Sequence, residues 1–97
     1  MDIMGEVEGL LDSKGVDTLA SQLRERGLDE QVSSWISTGQ NIPVVGSEIK
    51  KALGDEDVAR IAGRLGLTED DAAEQLARAV PKAIDEATPQ GHLPGSS

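Results

Sequence analysis

Few side chains in this sequence are of the kinds that make or break bonds. The chain has 97 residues, no cysteine and one histidine, His92. Thiolate catalysis and thiolate metal sites are therefore excluded. His92 would need carboxylates around it to hold a metal, or a nucleophile beside it to act as a base. It stands beside Gly91 in a C-terminal run, residues 88–97, that carries two prolines and two glycines. Such a run excludes regular structure and holds a catalytic geometry poorly. The acidic pairs Asp55/Asp57 and Asp70/Asp71 offer oxygen ligands, but they lack the oxygen spacing and central glycine of a helix–loop–helix calcium site. Helix starts explain them more simply. No phosphate-cradling glycine loop is present, and Lys50-Lys51 is too short to form a binding patch. One polar set, Thr38, Gln40 and Asn41 with His92, offers a small-ligand or enzymatic reading. Apart from it, no catalytic, cofactor-binding or metal-ligating residue can be named.

Composition narrows the classes further. Eighteen acidic residues against nine basic ones give a net charge of −9. The first thirty residues hold eight acids and three bases, and residues 67–97 hold six and two. An excess of this size repels phosphate backbones and anionic lipid. No apolar run reaches the length of a signal peptide or a membrane span, so the expectation is a bacterial-style cytoplasmic protein. Phe and Tyr are absent and Trp occurs once. The core must then be aliphatic and thin, with modest stability unless the chain self-associates.

The elements that would position these residues read as helices. Ile3, Met4, Val7, Leu10 and Leu11 lie at helical spacing, weakened by Gly5 and Gly9. A second helix has Asp17 as N-cap, with Val16, Leu19, Ala20 and Leu23 on one face; Gly27 closes it, and Arg24 and Arg26 are placed favourably against the C-terminal end of its dipole. A third begins at Leu28-Asp29, with Val32, Trp35 and Ile36 inward, and stops at Thr38-Gly39. Residues 40–46 read as extended, because Pro43 disfavours helix at Ile42 and Val44-Val45 are β-branched. Ser47-Glu48 opens a short helix that Gly54 ends, and Asp55 caps another that ends at Gly66. Thr68 with Asp71 resembles a capping box before a long helix carrying Ala73, Leu76, Ala77, Val80 and Ile84. Pro81 falls inside that stripe, and the continuing face favours one kinked helix over a break.

Two features invite a sharper reading. Residues 58–80 have the spacing of a tight two-helix turn around Leu65-Gly66-Leu67. The second of those helices would carry Thr68-Glu69-Asp70-Asp71 and Glu74 toward phosphates, against one base at Arg78. That is unfavourable beside a polyanion, so a packed corner is expected instead of a DNA reader. Trp35 sits on the apolar stripe of its helix and is expected in the core. Its indole N–H needs a partner, which the neighbouring residues 38–41 are placed to supply.

The strings Trp35-x-x-Thr38-Gly39-x-Asn41-x-Pro43, Leu53-Gly54, Leu65-Gly66-Leu67-Thr68, Pro81-x-x-x-Asp85 and Thr88-Pro89-x-Gly91-x-Leu93-Pro94 resemble the YidB-like family of small bacterial proteins. The resemblance runs from about Leu19 onward. It implies an all-helical fold and a bacterial source, and it brings no catalytic residues or settled activity with it. Family members often begin with a glycine- and leucine-rich segment, whereas this chain begins with acidic, moderately apolar residues. The recurring tail implies that residues 88–97 lie against the body, with Leu93 near the Trp35 turn.

The expectation is thus an all-α bundle of five to six short helices over residues 1–87, with an irregular loop after Trp35 and a strap over 88–97. Residues 1–14 form a loosely attached helix in this reading. The function expected is a non-enzymatic protein-interaction or self-association module with no cofactor, nucleic acid or membrane span. Its candidate interaction residues are Trp35, Thr38, Gly39, Asn41 and Pro43.

Overall fold

Left-handed glycines and polar caps cut the apolar stripes into short pieces, and each piece becomes one helix. A computed structural model describes residues 2–37 and 40–88. Within them lie six helices: α1 (Ile3–Lys14), α2 (Val16–Leu23), α3 (Asp29–Ile36), α4 (Gly46–Leu53), α5 (Asp55–Leu65) and α6 (Glu69–Ala87). No strand occurs among the described residues. The all-α expectation holds.

Two corners show how the cuts are made. At Gly27 the backbone turns to φ +105°, in a region that side chains rarely adopt, and the chain swings from α2 into α3. At Gly66 it reaches φ 69° and ψ 31°, and the Leu67 N–H closes back on the Ala62 carbonyl at 2.9 Å. This is a Schellman-type stop for α5. Thr68 then caps α6 through its hydroxyl, which accepts from the Asp71 N–H at 3.1 Å. Three other starts differ from expectation. Gly15 and Gly54 are the caps of α2 and α5, so Asp17 and Asp55 lie inside the first turn, where the helix dipole favours them. Likewise α4 begins at Gly46, ahead of Ser47; there Glu48 Oε1 accepts from the Val45 N–H at 3.1 Å.

The long helix α6 is the hub, with α1, α3, α4 and α5 packed around it. Its buried set includes Ala72, Ala79, Pro81 and Ala83 besides the expected stripe. The helix continues through Pro81 to Ala87. Alanines on its flanks let neighbours approach from several sides, which widens the buried face beyond one stripe. Trp35 lies at the centre of the core with Leu19, Leu23, Ile49, Leu76 and Ile84, all fully buried. From α1, Val7 and Leu10 reach the same core. Beside them Glu6 pairs with Arg64 at 3.4 Å and Lys14 with Asp57 at 3.4 Å.

The expected placement of Arg24 and Arg26 against their own helix end is only partly realised. Arg26 Nη1 donates instead to the Ala52 carbonyl at 3.2 Å, at the C-terminal end of α4. Gln22 Nε2 lies 3.3 Å from both the Ala52 and Leu53 carbonyls. The open carbonyls of one helix are thereby met by side chains of another.

Two glycines separate backbone propensity from packing. A Cβ at Gly63, on the outer face of α5, meets nothing within 4 Å, whereas at Gly46 it meets Glu74 N and Cγ at 3.2 Å. Gly63→Ala should raise unfolding stability by about 0.5–1 kcal/mol. Gly46→Ala should lower it by about 1–3 kcal/mol, because α4 must move off α6. Denaturant titration of both variants checks the opposite signs.

Candidate functional site

The site is the turn that leaves α3 and enters α4. The apolar stripe of α3 puts Trp35 wholly inside, so its indole N–H must find a partner within the protein. It donates to the Ile42 carbonyl at 2.8 Å. The Ile42 N–H donates to Ser34 Oγ, also at 2.8 Å, and that hydroxyl donates to the Gln31 carbonyl at 2.6 Å. One residue of the loop is thus held at both backbone groups by two consecutive residues of α3.

Those ties orient the remainder of the loop. Val44 turns inward and is 8% exposed, while Ile42 and Val45 are 42% and 59% exposed. Gln40, Asn41 and Pro43 are exposed as well. Ile42 and Val45 are the exposed large hydrophobics among the described residues. The loop therefore presents apolar side chains from a fastened backbone. Near the far end of α3, Thr88 is buried; its hydroxyl donates to the Ile84 carbonyl at 2.8 Å and lies 3.5 Å from the Ile36 carbonyl. This places the end of α6 against the end of α3.

The expected site residues divide. Trp35 is in the core, as its position on the stripe implied. Asn41 and Pro43 are on the surface. Thr38, Gly39, His92 and Leu93 lie outside the described residues, as does the contact expected between Leu93 and the Trp35 turn. The partner of the indole is the Ile42 carbonyl, a backbone group just beyond the expected set at 38–41. Sequence reasoning missed Ser34, whose small hydroxyl sits one residue before the tryptophan, and it missed the outward pair Ile42 and Val45. Alternation about the buried Val44 signals an outward Val45, but it would put Ile42 on the inner side with Val44, so no local signal marks Ile42.

Chemistry at this turn is sparse. Its described residues offer amides, aliphatic groups, the Ser34 hydroxyl and the Glu48 carboxylate, and no described cluster of three or more metal-ligating side chains exists. A groove between α4 and α6 is lined by Val45, Lys50, Asp55, Asp70 and Glu74. Its Lys50 is already shared between Glu69 at 3.8 Å and Asp70 at 3.7 Å.

The YidB-like protein family matches residues 2–96. This chain belongs to the YidB-like family. Over 80 residues it is 35% identical to the uncharacterized protein YidB of Escherichia coli strain K12, a match covering 81% of this chain and 61% of that protein. The chain thus spans about 61% of the length of this curated relative. Among solved structures it is similar to a homeodomain-like protein of unknown function, S4005 from Shigella flexneri, with a TM-score of 0.80 and 33% identity. That likeness covers 94% of this chain and 70% of the other. Within this YidB-like fold, no helix of the described residues is long and apolar enough to cross a membrane.

Ser34→Ala leaves the Ile42 N–H without its acceptor beside a buried indole. The bond is exposed, so loss of about 0.5–1.5 kcal/mol is expected. Urea unfolding monitored by Trp35 fluorescence measures it, and a change below about 0.5 kcal/mol would place the loop's stability elsewhere.

Proposed function

We propose that this YidB-like chain is a non-enzymatic protein-interaction module that docks an apolar segment of another protein on residues 40–45. The observation that carries this reading is the exposure of Ile42 and Val45 from a loop fastened at Trp35, Ser34 and Glu48. An apolar surface on a backbone already fixed loses little ordering entropy on binding, which favours recognition. Exposed apolar side chains gathered in one short segment, as Ile42 and Val45 are, mark docking surfaces more readily than scattered ones do. Among its described residues the turn holds no nucleophile with a base beside it, which supports a binding role over catalysis.

Nucleic acid fits less well. The solved relative is described as homeodomain-like, and α5 and α6 of this chain do form a tight corner. Yet α6 opens with Glu69, Asp70 and Asp71, then Glu74, and all four are exposed. Bringing those carboxylates to a phosphate backbone costs Coulomb energy and releases no counterions in return.

Replacing Ile42 and Val45 together by Asp should abolish capture of the partner from a lysate of the native host. Both positions are exposed, so folding should change by no more than about 0.5 kcal/mol. Trp35→Ala serves as the control in which the loop loses its support. Equal recovery of the same protein by wild type and by the Ile42→Asp, Val45→Asp chain would refute the assignment.

A further inference from the structure

A second surface has its own chemistry, along the seam where α1 lies on α6. Its apolar floor is Ile3, Met4 and Leu11, each only partly buried against the core, with the flanking alanines Ala79 and Ala83. Two shallow grooves meet at Met4. One is edged by Arg78 and Lys82, the other by Glu8, Asp12 and Glu86. The seam is therefore basic at one end and acidic at the other.

These charges form no ion pair among the described residues. Lys14, Arg24, Lys50, Arg60 and Arg64 each pair with a carboxylate, and Arg26 is bonded to a helix-end carbonyl. Arg78 and Lys82, like Lys51 on α4, have no such partner among the described residues, although acids outnumber bases two to one. Glu8, Asp12 and Glu86 are likewise unpaired there. All five side chains are exposed. Lys82 and Glu86 lie one turn apart on the same helix and still do not pair.

We propose that the α1–α6 seam is the interface with a second copy of this chain, related by a two-fold axis passing near Met4. A two-fold rotation turns one seam end for end on the other, so that residue i meets j and j meets i. Arg78 and Lys82 of each copy then face Glu8, Asp12 and Glu86 of the other, over the partly buried Met4, Ile3 and Leu11. A partner of one charge sign would suit one end and be repelled at the other. A second copy suits both. Association of this kind also covers apolar area that a thin aliphatic core leaves at the surface. The surface is separate from residues 40–45, so either reading can fail while the other stands.

Sedimentation equilibrium of the full chain tests this with two reversed variants. Wild type should dimerise, more weakly as salt rises. The chain carrying Arg78→Glu and Lys82→Glu should weaken by about tenfold or more, and so should the chain carrying Glu8→Lys, Asp12→Lys and Glu86→Lys. An equal mixture of the two should recover the dimer, because both ends become complementary again. Circular dichroism melts confirm that the exposed substitutions leave the fold in place. A wild type monomeric up to about 1 mM, variants as dimeric as wild type, or a mixture no more dimeric than its components would each overturn the proposal.

Discussion

The hydrogen bond from the Trp35 indole to the Ile42 carbonyl is the constraint on which the rest of the structure depends. Burying an indole without a partner would cost more than its N–H returns in any alternative pose. The loop therefore has to pass over the ring at a fixed height. Once Ile42 is held there, with its own N–H on Ser34, the direction of the next three residues is set. Val44 enters the core, Val45 caps α4, and α4 lands against α6 at Gly46, where a Cβ would come within 3.2 Å of Glu74. The same bond that completes the interior thus decides which side chains are left outside.

Around this turn two basic side chains, Arg26 and Lys50, are placed on a helix end and on acids. Arg26 and Gln22 meet the C-terminal carbonyls of α4, and Lys50 sits between two carboxylates at the start of α6. Exposed pairs of this kind contribute about 0–1 kcal/mol each, so they orient helices more than they stabilise them. Stability must come mainly from aliphatic packing around α6 and from Trp35.

Much of this could be read from residue spacing, for physical reasons. Helical periodicity and glycine stops are local, so neighbouring residues were enough to indicate the elements, the corners at Gly27 and Gly66 and the Thr68 cap. Which residue begins a helix was less accessible, because Gly15 and Gly54 hold cap positions that Asp17 and Asp55 are chemically better suited to fill. The width of the buried face on α6 was hidden as well, since Ala72, Ala79 and Ala83 acquire meaning only when helices close on more than one side. Arg26 looked like a cap for its own helix, and only the tertiary arrangement assigns it to α4. At the site, the need for an indole partner was foreseeable from a single buried Trp. That a backbone carbonyl seven residues away supplies it depends on the path of the loop.

Hydrogen exchange of the Trp35 indole proton, read by NMR in the intact chain, tests the central claim most directly. Closed over by the Ile42 carbonyl, the proton should exchange only through global unfolding, with a protection free energy equal to that from denaturant melts. Exchange near the rate of a free indole, or far below the stability of the fold, would show that the ring is not sealed and that the turn is not organised by it.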